Sequence, residues 1–141
     1  MILLDTNVIS EFSKPAVNEA VLGWFRRQDL LTLHLCAPVV MEQTYGARRF
    51  QMKTGSDRFT RLTQRLFSET FAGRILPFDE IAAIRTGHVR AERDRAGRPI
   101  GVIDAMIAAI CLVHDAILAT RNIRDFDGLD LKLVNPFEAG A

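Results

Sequence analysis

The sequence has 141 residues, 48% of them hydrophobic and 25% charged, the usage of one globular domain large enough to fold without disulfides or metal. Lys+Arg and Asp+Glu nearly cancel at 18 against 17, which argues against tail-driven nucleic-acid binding but leaves room for a basic face beside an acidic pocket. The longest apolar run, Ala105 to Val113, is far short of the ~20 residues of a membrane helix, and Met1-Ile2-Leu3-Leu4 meets Asp5 without a basic leader. A cytoplasmic protein is expected, with membrane, secreted and disordered classes excluded. Cys36 and Cys111 sit in apolar surroundings without C-x-x-C spacing and read as buried free thiols. His34, His88 and His114 lack zinc spacing.

In chain order, Ile2 to Leu4 reads as a strand. Asn7 to Ser13 reads as a short helix capped by Thr6 or Asn7 and closed by Pro15. Asn18 caps a helix from Glu19 to Arg27, and Leu31 to Cys36 is a second strand. Pro38 suits the first turn of a helix from Val39 to about Met52. Ser56 or Asp57 caps the next, to about Phe71, with Gly73 as its stop. Ile75 to Phe78 is a third strand, and Asp79 caps a helix from Glu80 to about Arg95. Val102 to His114 is apolar nearly all round and therefore a buried helix. Ile117 to Thr120 and Leu131 to Val134 are the last strands. Alternation of strands and helices predicts an α/β fold: a single domain, residues 1 to 141, with a central parallel sheet of about five strands and helices on both faces.

In such sheets the functional crevice lies beyond the carboxyl ends of the strands. Asp5 follows the first strand directly, where it could be a helix cap as well as a site acid. Asp104 is the only charged residue between Pro99 and His114. A carboxylate in so apolar a run needs a partner or a cation, although the helix dipole alone also favours it there. Glu42 falls in the first turn of its helix with Gly46 one turn on; a solvated face is the plainer reading. Thr120 to Asp125 follows a strand and offers a hydroxyl, an amide (Asn122) and a carboxylate, or simply a turn. Asp5 and Thr120 to Asp125 follow strands, while Glu42 and Asp104 open helices, so all four fall on one sheet edge. Carboxylates crowded together require a cation to stay ionised, and oxygen-only ligands select Mg2+ or Mn2+. A hard cation in an acidic cup suits phosphate esters: it acidifies a bound water and neutralises the phosphate. No Gly-rich phosphate loop is present. An aspartyl-phosphate phosphatase is disfavoured, because Asn7 replaces the second acid of an Asp-x-Asp opening.

Met-Ile-Leu-Leu-Asp-Thr-Asn-Val-Ile-Ser-Glu resembles the opening of PIN-domain ribonucleases, specifically VapC-type toxins of the FitB-like branch. Glu42, Phe71 to Asp79, Asp104 in Ile-Asp-Ala-Met-Ile-Ala-Ala, Leu-Ala-Thr-Arg-Asn-Ile-Arg-Asp-Phe and Val134-Asn135-Pro136-Phe137 match in order, over essentially the whole chain. The resemblance implies a Mg2+- or Mn2+-dependent endoribonuclease of a type II toxin–antitoxin system, cleaving structured RNA of the tRNA or rRNA class to leave 5′-phosphate and 3′-hydroxyl ends. It implies Asp5, Glu42 and Asp104 as metal-binding catalytic acids and Thr120 as a supporting hydroxyl. Some members carry an acid where this chain has Asn122; the nearest carboxylate here is Asp125, so either can complete the site. It also implies a cognate VapB-like antitoxin, a homodimer, and a larger assembly holding DNA through the antitoxin. A catalytically weak PIN-like module acting by RNA or partner binding is the alternative.

Arg48, Arg49, Lys53, Arg58, Arg61 and Arg65 face one acid, Asp57, between Gln43 and Phe67. Arg85, Arg90, Arg93, Arg95 and Arg98 accompany Glu92 and Asp94. Such runs are ordinarily solvated helix faces; beside an acidic cup they would hold phosphates without reading sequence. Phe12, Trp24, Phe25, Phe59 and Phe67 are expected in the core or a partner groove rather than as base-stacking platforms.

Overall fold

Runs of two to four mostly aliphatic residues, too short to stand alone, form strands that are stable only when flanked on both sides. A computed structural model describing residues 1–141 shows five: β1 (Ile2–Leu4), β2 (Leu33–Cys36), β3 (Ile75–Leu76), β4 (Ile117–Ala119) and β5 (Lys132–Val134). They make one sheet in the order β3-β2-β1-β4-β5, every pairing parallel. Leu3 is at the centre, in register with His34 on one side and Leu118 on the other.

Six helices connect them: α1 (Thr6–Glu11), α2 (Glu19–Arg26), α3 (Ala37–Thr54), α4 (Arg58–Arg65), α5 (Glu80–Arg95) and α6 (Val102–His114). Local chemistry sets their ends. Asn18 Oδ1 accepts from the backbone of Ala20 and Val21 at the start of α2, and Asp79 Oδ1 accepts from Ala82 N at 2.9 Å at the start of α5. Gly55 closes α3 at φ 76°, a left-handed conformation that glycine adopts without strain. The chain steps outward from β1 to β2 to β3, then crosses to β4 on the opposite side of β1. Right-handed crossovers therefore put α1 to α4 on one face and α5 and α6, which pack together, on the other. The carboxyl end of β1 is the point where the strand order reverses, the place where such sheets open a crevice.

The core lies between the layers. Leu3, Leu4, Val8, Leu35, Ile107, Ile110 and Leu118 are fully buried. Both cysteines are buried and free; burial pushes the Cys36 thiol up to about 12 and raises Cys111 as well, so neither is a nucleophile.

Several boundaries differ from the sequence reading. Leu30–Thr32 is a 3-10 turn capped by Asp29, which leaves Leu31 in solvent instead of starting β2. Asp5, not Thr6 or Asn7, caps α1. Helix α3 starts at Ala37, so Glu42 stands in its second turn and not its first. The helix expected to run to Phe71 ends at Arg65 and widens into a π turn, Leu66–Thr70. No helix is long and apolar enough to cross a membrane.

Leu3→Ala should lower unfolding free energy by about 3 kcal/mol, the cost of a cavity at a fully buried leucine. Leu31→Ala, at a residue 73% exposed, should change it by under about 0.5 kcal/mol. Urea denaturation of the two variants measures the difference.

Candidate active site

Where β1 ends, one carboxylate serves both fold and site. Asp5 is 4% exposed. Its Oδ1 accepts from Thr6 N at 2.8 Å and so caps α1. Its Oδ2 accepts from the Thr120 hydroxyl at 2.7 Å and from Asn7 Nδ2 at 2.9 Å. Thr120 follows β4 as Asp5 follows β1, and the adjacent register of those strands brings the two side chains together. Burial raises the Asp5 carboxyl above its ordinary value; the bonds from Thr120, Thr6 and Asn7 pull it back, and the charge of Glu42 adds to the rise.

The other expected acids converge on the same place. Thr6 Oγ1 donates to Glu42 Oε2, which ties α1 to α3. Asp104 stands in the first turn of α6, half-buried. Loss of hydration, and then the charges of Asp5, Asp125 and Glu42, raise its carboxyl from the ordinary 3.8 to about 6. The other three carboxylates thus lie within electrostatic reach of Asp104. The side-chain ion pairs of the chain are Lys14–Glu11, Arg61–Asp57, Arg98–Asp127 and Lys132–Asp115, so none of the four is neutralised by a cationic side chain.

The loop after β4 is held from two sides. Thr120 Oγ1 accepts from Asn122 N at 3.0 Å, and Asn7 Oδ1 accepts from Arg121 N at 3.0 Å. Below it, Arg93 donates to the carbonyls of Asp125 at 3.0 Å, Asp127 at 3.3 Å and Arg98 at 2.6 Å. Arg93 was expected on a basic face, but it is only 7% exposed and is a structural donor. Asn122 and Asp125 are exposed at the rim, in and beside a short 3-10 turn, Ile123–Phe126.

Three contributors escaped the sequence reading as site residues: Thr6, Asn7 and Arg93. The Asp-Thr-Asn spacing carried a signal for the first two, since a side chain two residues past a cap points back toward it. Nothing local distinguished Arg93 from its neighbouring arginines.

The donor set fits a hard divalent cation: carboxylate oxygens, a hydroxyl and an amide, with no nitrogen or sulfur ligand and uncompensated negative charge. No three His, Cys, Asp or Glu side chains close into a ready-made cage. A hard cation of that kind takes carboxylate oxygens together with waters as its ligands. Asp5, Glu42 and Asp104 are the residues that would hold it.

Comparison with known proteins gives a consistent set of likenesses. A family model described as PIN domain matches residues 2–131. The chain is 39% identical to the VapC ribonuclease Y4jK of Sinorhizobium fredii, over 98% of this chain and 99% of the relative. It is 38% identical to toxin FitB of Neisseria gonorrhoeae, over 97% and 99% respectively. A solved structure of FitAB bound to an IR36 DNA fragment superposes with a TM-score of 0.88 at 35% identity, covering 100% of this chain and 99% of that one.

Substitutions at two positions test the site's electrostatics without an activity assay. Thr120→Val removes a buried donor from Asp5 and should cost about 2 kcal/mol, whereas Thr120→Ser should cost under about 1 kcal/mol; thermal melts compare them. The folded Asp104 value lies above the unfolded one, so its ionised form costs stability. That cost is absent below pH 3.8 and complete above about 6. Asp104→Asn should therefore stabilise the protein at pH 8, by about 1 kcal/mol after allowing for its exposure to solvent, and hardly at all near pH 4. Added Mg2+ should stabilise wild type more than this variant.

Proposed function

The chain belongs to the PIN-domain family, and from that footing we propose that it is the ribonuclease toxin of a type II toxin–antitoxin pair, hydrolysing RNA phosphodiesters with Mg2+ or Mn2+. The observation that carries this reading is the cup itself: Asp5, Glu42, Asp104 and Asp125 share one sheet edge with no cationic side chain among them. The cation supplies charge neutralisation at the phosphate and a water acidic enough to attack it.

The protein residues have separable parts. Asp5, Glu42 and Asp104 are the catalytic acids that hold the ion. Thr120 fixes the rotamer of Asp5 through its hydroxyl, and Thr6 fixes Glu42. Asn122 and Asp125 complete the rim, where an amide can orient a water or a phosphate oxygen and a carboxylate can accept a proton. Hydrolysis by in-line attack of water breaks the P–O3′ bond, leaving a 5′-phosphate and a 3′-hydroxyl. The substrate class is structured RNA, of the tRNA or rRNA kind.

The resemblance to FitB supports a cognate antitoxin as partner, with DNA held through it, and a homodimer of the toxin. An apolar groove of about 540 Å3 suits the antitoxin. It is lined by Ile9, Phe12, Phe25, Leu30, Leu33 and Phe71, with Phe12 and Leu30 39% and 60% exposed. Phe12 and Phe25 are thereby partner-groove residues, while Trp24 is core.

Purified protein incubated with total RNA in Mg2+ should cleave it. EDTA should abolish cleavage, and Asp5→Asn should slow it by at least about hundredfold. Cleavage indifferent to EDTA overturns the mechanism. Binding of RNA without any turnover moves the protein to the catalytically weak class that Asn122, in place of an acid, would then explain.

A further inference from the structure

Thr6 and Glu42 belong to the acidic cup and also to the wall of a small, half-open cavity of about 190 Å3 between α1, α3 and α4. Ser10, Gln43, Gly46 and Phe59 make up half of the rest of that wall. Sites for drug-sized ligands start at about 300 Å3, so this one suits a single flat ring system. Gly46 lies one helical turn beyond Glu42, and a Cβ added there would meet nothing within 4 Å. Glycine is a poor residue for a helix interior, and no close backbone approach calls for it here. Gly46 is exposed, so the missing side chain leaves open space at the mouth of the cavity.

The chemistry of the wall matches a heteroaromatic ring with a polar edge. Gln43 Nε2 donates to Ser10 Oγ at 2.9 Å, leaving the amide oxygen and the hydroxyl proton for another partner. Phe59, expected in the core or a partner groove, is only half-buried; its ring packs edge-on against Phe50 at 4.6 Å between centroids and carries the Arg58 guanidinium 5.3 Å from its own centroid, where the pocket meets the cations. A base can stack on such a ring whatever its identity.

Ser13 and Leu62 line both this cavity and a second one, of about 390 Å3, so the two adjoin. Lys14, Arg58, Arg61 and Arg65 line the second. Glu11 engages Lys14 at 2.6 Å and Asp57 engages Arg61 at 3.3 Å; Arg58 and Arg65 have no acidic partner. Leading away from the cup, the groove thus presents a ring-sized polar pocket and then a row of cations.

We infer that this groove is the RNA subsite flanking the cut: an unpaired base next to the scissile phosphate enters the Ser10–Gln43–Gly46–Phe59 pocket, and the following phosphates lie along Lys14, Arg58, Arg61 and Arg65. The inference rests on the ribonuclease reading of the cup. It makes the cut strand single at that point, a loop or unpaired run of a structured RNA, because a paired base keeps its edge and faces inside the helix. The cations fix the strand's path; the pocket is where one base can be preferred to another.

The test compares a short fluorescent single-stranded RNA of mixed sequence with an abasic strand of the same length, by anisotropy in EDTA. Wild type should bind the RNA about tenfold tighter than the abasic strand. Gly46→Leu fills the pocket from an open position, should melt no lower than wild type, and should erase that preference while leaving abasic affinity unchanged. If Gly46→Leu melts lower, Gln43→Leu decides the same point. The Arg58→Gln/Arg65→Gln double variant should weaken both strands alike and reduce the slope of log affinity against log salt by about 1.4. Equal binding of the two strands by wild type, a preference that survives a filled pocket, or an unchanged salt slope each overturns the subsite. So does an arginine variant that keeps RNA affinity but loses a polyglutamate peptide, which would assign the cations to an acidic protein. Cleavage of the same RNA in Mg2+, run in parallel, separates the two readings: equal cleavage by all variants overturns the groove and leaves the ribonuclease. The expected binding pattern without any cleavage overturns the ribonuclease and leaves the groove.

Discussion

Asp5 divides its two oxygens between different tasks, and the rest of the site follows from that division. Oδ1 starts α1, which sets where Thr6 and Asn7 project. Oδ2 receives Thr120 and Asn7, which fixes the loop after β4 against the end of β1. Glu42, Asp104 and Asp125 then gather around a carboxylate whose position is already determined. Their mutual repulsion, felt most by Asp104, is carried by a buried sheet whose strands pair in only one parallel register. A cation would relieve that repulsion, so the same crowding that strains the free protein would favour a hard ion in the cup.

The loop bearing Asn122 and Asp125 would otherwise be an exposed strap. Arg93 converts it into a fixed rim by donating to three carbonyls from beneath. A guanidinium suits this work because it stays protonated at any physiological pH and offers several donors in one plane. The rim is therefore set by the helix under it, independently of whatever occupies the cup.

Much of this was legible in the amino-acid order, for reasons that differ from residue to residue. Ile2–Leu4 and Ile117–Ala119 could be read as buried strands because three apolar residues between polar ones have few other uses. Asp104 stood out as one charge in an apolar helix, and its raised carboxyl is the physical counterpart of that isolation. Asn18 and Asp79 announced helix starts through side chains that satisfy backbone donors nearby. What stayed hidden depends on partners distant in sequence. Glu42 taken alone looked like a solvated glutamate, and only its sheet-edge placement and the family resemblance marked it, its bond from Thr6 staying out of sight; Arg93 looked like one arginine among several until its carbonyl partners were in view. The early end of α4 belongs to the same class: the π turn Leu66–Thr70 carries Leu66 and Phe67 onto the core, a tertiary demand with no local signature.

The pairing of β1 with β4 has a consequence for how the molecule is born. Asp5 and Thr120 are separated by 115 positions, and ribosomes extend a chain by about 5–20 residues each second. The first acid consequently emerges roughly 6–23 s ahead of the hydroxyl that orients it. Throughout that interval the nascent polypeptide has β1 without its β4 neighbour, and Asp104 joins only shortly before the end. The acidic cup is thus completed only when synthesis is nearly finished, a delay written into strand order.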